Sequence, residues 1–180
     1  MNILAFAASN SSQSINRQLV NHAAAVYKEE INPAANIELL DINDYEMPLY
    51  SSDREQAADI PEQAQQFLAK IAAADALLIS YAEHNGFYTA AYKNLFDWAS
   101  RIDSKVYQGK PMVIFATSPG ARGGSNVLEA AQKSAPFFGA DLRAAMSVPK
   151  FYDNFNPEAG ELSDENLQTQ LRTALNALTA

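Results

Sequence analysis

The sequence predicts a three-layer α/β domain, a parallel sheet with helices on both faces. Three observations carry this reading. Short unbroken apolar runs at Ile3–Ala8, Ala76–Ser80 and Pro111–Thr117 have the pattern of strands buried on both faces. Segments with apolar residues at helical spacing alternate with them, which implies right-handed crossovers and a parallel sheet. A length of 180 residues, 48% of them apolar, suits one domain over residues 1–180 and not comfortably two.

Each element follows from its own pattern. After the first strand, Ser14 is an N-cap candidate, and Ile15, Leu19, Val20, Ala23, Val26 and Tyr27 recur at helical spacing. Ile37–Leu40 forms a second short strand. Residues 43–60 are polar, contain Pro48 and show no period, so they read as a long loop. Pro61 suits the first turn of a helix, whose apolar face is Phe67, Leu68 and Ile71. The third strand, Ala76–Ser80, precedes a helix marked by Ala91, Leu95, Trp98 and Ile102. Gly109 breaks the chain before the fourth strand. Ser125 can cap a helix running to about Phe138, with Gly139 at its end. Leu142–Val148 is the fifth strand. Leu167, Leu171, Leu175 and Leu178 face inward from a last helix capped near Ser163. Five such units point to the flavodoxin-like strand order 2-1-3-4-5, an analogy of fold that periodicity itself does not encode. There is no internal repeat, low-complexity tract or linker.

Composition excludes several functions. The formal charge of −8 argues against a nucleic-acid partner, because phosphate-backbone affinity needs Lys and Arg. One local anion site stays compatible with it, since backbone N–H groups suffice there. No Cys is present, so disulfides, thiol catalysis and Cys-based zinc sites are absent. His22 and His84 lie far apart, which disfavours a multi-His metal site. The first residues lack a basic start, and no run approaches the roughly 20 apolar residues of a membrane span. A soluble cytoplasmic protein is expected, with no membrane partner.

In an open sheet of this kind, ligands bind beyond the carboxyl ends of the strands at the switch point. Three loops there have unusual compositions. The first, Ser9 to Asn16, offers hydroxyls and backbone N–H groups at a helix N-terminus, a place for a phosphate dianion. The same residues also suit an ordinary polar turn with Ser14 as cap. The second, Glu83 to Tyr88, mixes amide, ring and permissive backbone, suited to the edge and face of a planar heterocycle. A solvated loop with an exposed His84 is the plain alternative. The third, Ser118 to Gly124, has three Gly in five positions, which lets backbone approach a ligand closely. Its Arg122 either pairs with the phosphate of a second nucleotide or is solvated. Neither G-x-G-x-x-G nor G-x-x-x-x-G-K-[ST] occurs, against a dinucleotide-type site and a P-loop hydrolase.

At these residues the chain resembles the NAD(P)H-dependent FMN reductase family, which includes bacterial quinone and chromate reductases. That family's first loop reads roughly G-S-x-R-x-x-S-x-N, and Ala8 to Asn16 matches at both Ser and at Asn16. Its second motif, P-E-Y-N-G followed by K-N-x-x-D-W, is spaced as Ala82-Glu83-His84-Asn85-Gly86 and Lys93-Asn94-Leu95-Phe96-Asp97-Trp98. Its third, G-K-P then S-P-G-x-x-G-G, matches Gly109-Lys110-Pro111 and Ser118 to Gly124. The resemblance covers about residues 1 to 145.

The resemblance implies that Ser9, Ser11, Ser14, Ile15 and Asn16 hold the FMN phosphate. It implies that Glu83, His84, Asn85 and Gly86 touch the ring, with Ser118, Gly120 and Gly123 nearby. NADPH or NADH would reduce the flavin, and a quinone, free flavin or similar acceptor would then take the electrons from the same face, a ping-pong cycle. No catalytic side chain is required, although His84 can tune the flavin. Phe87, Tyr88 and Phe151 are candidates for the acceptor pocket or for packing. A homodimer or homotetramer is implied, with Phe151-Tyr152-Asp153-Asn154-Phe155 and residues 43–60 as candidate contact surfaces. Ser11 stands where the family usually has Arg, Ala82 replaces Pro, and His84 replaces Tyr. The competing readings are a flavodoxin-type electron carrier and a diverged member with weak or lost FMN binding.

Overall fold

The computed structural model describes residues 1–179. Its elements run β1 (Asn2–Ala8), α1 (Ile15–Val26), β2 (Asn36–Leu40), α2 (Ser52–Ala57), α3 (Glu62–Ala73), β3 (Ala76–His84), β4 (Phe87–Tyr88) and α4 (Ala90–Ile102). There follow β5 (Pro111–Thr117), α5 (Ser125–Ser134), β6 (Asp141–Val148), α6 (Phe151–Asn154), β7 (Phe155–Asn156), β8 (Glu161–Leu162) and α7 (Glu165–Asn176). The parallel strands lie in the order β2-β1-β3-β5-β6, with β4 as an antiparallel arm on β3. Without that arm the order is the expected 2-1-3-4-5.

The period-2 geometry of a strand sends alternate residues of β1 to opposite faces. Leu4, Phe6 and Ala8 join Phe67, Leu95 and Leu128 from α3, α4 and α5 on one side. Ile3, Ala5 and Ala7 join Leu19 and Ala23 of α1 and Leu171 and Leu175 of α7 on the other. Both faces of the central strands are thus covered, which is why their sequences are continuously apolar. Burying each such large side chain contributes roughly 1.5–3 kcal/mol.

Several local expectations are corrected. Residues 43–60 are not a featureless loop: a 3-10 turn spans Ile42–Tyr45, and α2 is capped by Ser51, whose hydroxyl accepts from Arg54 N–H. The stretch is pinned by α4. Trp98 Nε1 donates to Pro48 O at 2.8 Å, Asn94 Nδ2 to Met47 O at 3.1 Å, and Tyr50 N–H to Asn94 Oδ1 at 2.8 Å. The Asn and Trp of the Lys93–Trp98 motif therefore anchor this segment. The third strand runs on through His84, so Glu83 and His84 belong to a hairpin rather than to a loop. Ser125 is the first residue of α5, not its cap. Gly124 caps it with φ of 73°, a left-handed conformation that Gly adopts without strain. This helix tightens to a 3-10 turn over Ala135–Phe138 before Gly139. The last helix is capped by Asp164, whose carboxylate accepts from Leu167 N–H, in place of Ser163. Phe151 and Phe155 stack at 4.6 Å inside the core, so of that aromatic stretch Tyr152 is the exposed ring. Among the described residues, no helix is long and apolar enough to cross a membrane.

Candidate functional site

Adjacent pairing of β1, β3 and β5 brings the three unusual loops to one carboxyl edge. Asn16 braces them. Its Oδ1 accepts from Ser80 Oγ at 2.8 Å and from Thr117 N–H at 3.1 Å, and its Nδ2 donates to Thr117 O at 3.2 Å. Asn16 is 2% exposed, so its carboxamide is a strut between strands. The carboxamide is thus committed to Ser80 and Thr117, and the Asn16 main-chain N–H has no partner among the described residues.

The first loop is a set of donors. Ser9 Oγ accepts from Ser11 N–H, Ser11 Oγ from Gln13 N–H, and Ser14 Oγ from Arg17 N–H. Each of the three hydroxyls accepts from the backbone. None of their O–H groups has an acceptor among the described residues, so each is left to donate elsewhere. A helix start leaves its early N–H groups without intrahelical partners. Here Ser14 N–H meets Ser11 O and Arg17 N–H meets Ser14, so those of Ile15 and Asn16 remain. No acid lies in the first turn of α1 or in residues 9–16. The nearby Arg17 pairs with Asp41 at 2.7 Å. Unpartnered donors at a helix N-terminus with no acid beside them have the polarity that an anion requires.

The second segment turns sharply at Asn85 and Gly86, whose φ values are 52° and 81°. Two successive positive φ values suit the twist of a two-residue hairpin, and Asn-Gly is the favoured pair. Glu83 turns away from the turn. Its Oε2 accepts from Val127 N–H at 3.0 Å, and its Oε1 lies 3.5 Å from Asn126 Nδ2. Glu83 therefore caps the N-terminus of α5 and ties the second segment to the third. Its carboxylate is engaged by α5. His84 and Asn85 are exposed.

The third loop is held from β6. Phe151 N–H donates to Ser118 O, Lys150 N–H to Gly120 O at 2.9 Å, and Ser147 Oγ to Gly123 O at 2.9 Å. A Cβ on Gly123 would lie 2.4 Å from Ser147 Oγ and 2.8 Å from Pro149 N. Gly123 thus packs tightly against β6 and the residue after it, with no room for a side chain. Around Gly120 the nearest atom to such a Cβ is Ser118 Oγ at 3.8 Å, and the residue is exposed.

Below this edge lies a feature the sequence did not single out. Tyr107 OH sits 3.1 Å from Tyr81 OH and 2.8 Å from Tyr92 OH. Burial pushes the Tyr107 phenol up to about 12 and the other two well above their usual range, so all three stay neutral. Thr89 was also missed; it caps α4 and its hydroxyl donates to Ala8 O at 3.0 Å. A polar residue just ahead of an amphipathic run was its available signal. Two cavities flank the edge. One of about 310 Å³ is lined by Asn10, Ile42, Asn43, Tyr45 and Met47. Another of about 210 Å³ lies behind the hairpin, lined by Phe87, Tyr88, Tyr92, Phe96 and Phe138. Phe151, 1% exposed, lines neither.

A doubly wound sheet whose switch-point edge combines an open helix N-terminus with a permissive hairpin defines a flavodoxin-like nucleotide-binding protein. Comparison with known proteins narrows this. The family described as NADPH-dependent FMN reductase matches residues 1–152, and the chain belongs to that family. It is 31% identical to an NAD(P)H:quinone oxidoreductase of Solanum tuberosum over 177 residues, 93% of this chain and 85% of that one. A quinone reductase of Pseudomonas putida is 30% identical over 158 residues, covering 84% and 82% of the two chains. Among solved structures, the flavoenzyme NAD(P)H:(acceptor) oxidoreductase FerB of Paracoccus denitrificans superposes with TM-score 0.75. It has 25% identity, with 98% of this chain and 94% of that chain covered.

Proposed function

We propose that this protein binds FMN at the carboxyl edge and passes electrons from NAD(P)H to a quinone or similar small acceptor. One observation carries the reading: three free hydroxyl donors and two free N–H groups lie within residues 9–16, at the acid-free start of α1. That donor set fits a phosphate dianion without a metal or an arginine. Bound FMN supplies a two-electron relay between a nicotinamide and a quinone.

The chain's own residues do the rest. Ser9, Ser11 and Ser14 hold the phosphate with the Ile15 and Asn16 N–H groups. The Asn85–Gly86 turn presents main chain and amide to the ring edge, and Gly120 and Ser118 bound its other side. Glu83 fixes the distance between those two walls through α5. His84, exposed beside the turn, is a candidate tuner of the ring. Phe87 and Tyr88 border the acceptor's approach. Donor and acceptor use one open edge in turn, so parallel double-reciprocal lines are expected; intersecting lines would oppose this.

The test is a visible spectrum of purified protein with added FMN, followed by anaerobic NADPH and then a quinone. Retained flavin bands that bleach and return support the reading. Retained flavin that no nicotinamide bleaches indicates an electron carrier instead. No retained flavin indicates that Ser11, in the position where Arg is usual, marks a lost site.

A further inference from the structure

Lys and Arg are scarce in this acidic chain, thirteen in all. Seven stand in ion pairs. Arg54, Lys105 and Lys110 donate to main-chain carbonyls. Among the described residues only Lys28, Arg122 and Lys150 have neither kind of partner. Two of those three, Arg122 and Lys150, flank the third loop at the carboxyl edge, and both are exposed.

They are brought together by the backbone. Lys150 N–H donates to Gly120 O at 2.9 Å, and Ser147 Oγ reaches both Gly123 O at 2.9 Å and Arg122 O at 3.5 Å. Lys150 sits at φ 47°, a left-handed conformation uncommon for any residue with a Cβ. Its surroundings impose it: Asp153 and Asn154 N–H both donate to Lys150 O, and Asn154 Nδ2 donates to Pro149 O. Glycine would relieve that strain, so a lysine held there points to a use for its side chain. Asp153, the nearest acid along the chain, pairs with neither cation.

We infer that Arg122 and Lys150 recognise the 2′-phosphate on the adenosine ribose of NADPH, and so make NADPH the preferred donor over NADH. The inference rests on the reductase reading above and extends it to donor choice. A donor whose nicotinamide stacks at the edge must lay its adenosine end over a neighbouring loop. The third loop is the neighbour that offers unpaired cations. The ligand class follows from charge. Two cations on a surface of net charge −8 suit one compact phosphate and not a polyanion. At the N-terminus of α5, the other nearby attractor of anions, the Glu83 carboxylate already occupies the N–H of Val127.

The test has two readouts on FMN-loaded protein. Titration calorimetry with adenosine 2′,5′-bisphosphate and with 5′-AMP should show the bisphosphate binding about tenfold tighter or more, the effect of one charge-assisted contact. That gap should close in the variant carrying Arg122→Ala and Lys150→Gly, in which Gly suits the local φ. The NADPH:NADH ratio of kcat/KM should fall by a similar factor in that variant and reverse further with Arg122→Glu. Equal binding of the two probes, binding of neither, or a ratio unchanged by the variants overturns the inference. If neither donor bleaches flavin in the unmodified protein, the reductase reading itself fails, which is a separate result from equal use of both donors.

Discussion

Gly120 and Gly123 lie three residues apart in one loop and answer to different constraints. Alanine at Gly123 must displace the Ser147 hydroxyl and the Pro149 main chain while holding φ 56°. We expect Gly123→Ala to lower stability by roughly 1–3 kcal/mol or more, as overpacking does, visible as a lower urea midpoint. Gly120→Ala meets nothing closer than 3.8 Å and should leave that midpoint nearly unchanged while weakening FMN retention. The opposite ranking would mean that Gly120 is the packed residue. The Asn16 side chain braces the strands. Asn16→Ala strands the Ser80 hydroxyl and the Thr117 N–H in the core, at about 1–3 kcal/mol for each buried group left unpaired. Calorimetry on flavin-free protein isolates this, because a purely ligating role would leave the apo melting temperature unmoved.

At the level of elements, the junctions between α1, α5 and the hairpins decide the response to charge. Glu83 supplies α5 with a capping carboxylate from another strand. Glu83→Gln keeps the shape but removes an anion at a helix N-terminus, a loss of about 0.3–1 kcal/mol for this half-buried carboxylate. Melting temperatures should drop slightly, and flavin retention should drop with them as the two walls loosen. A second junction joins α1 to β8, where His22 Nε2 accepts from the buried Leu162 N–H at 3.4 Å. Burial lowers the His22 pKa below 6.5, against raising influences from Glu161, Glu30 and Glu29; Arg172 adds to the lowering. The unfolded chain therefore binds the proton more readily than the folded one. Stability contributed by neutral His22 is complete above about pH 6.5 and declines as pH falls toward the folded pKa. Urea midpoints measured from pH 7.5 to 5.5 should show this decline, and His22→Gln, which keeps an acceptor without titrating, should flatten it.

For the whole molecule, the exposed rings bear on assembly. Phe137 is 77% exposed and Phe87 49%. Both lie on the side of the sheet covered by α4 and α5, and their burial by a second copy would accord with a homodimer or homotetramer. Sedimentation at micromolar protein is expected to give a species larger than a monomer, and a purely monomeric profile would sink this expectation. The 151–155 segment is less suited to that contact than its composition suggests, because Phe151 and Phe155 are interior.

Most of the architecture was legible because burial writes itself locally. The continuous runs in β1, β3 and β5 identified strands covered on both faces, and the Leu spacing of α7 identified its inner stripe. Residues 43–60 were illegible for the converse reason. Their order depends on Trp98 and Asn94, about 50 residues away along the chain, and not on any period of their own. The sequence alone determined the succession of the five parallel strands and their main helices and the unusual composition of three loops between them, because apolar patterning and turn chemistry act over a few residues. Only the tertiary structure decided which groups at that edge are free. Asn16 is committed to Ser80 and Thr117, 64 and 101 residues away, and Glu83 to Val127, 44 away. A hydrogen bond saturates its donor and acceptor whatever their separation in the chain, so what remains available to a ligand is known only after every internal partner has been placed.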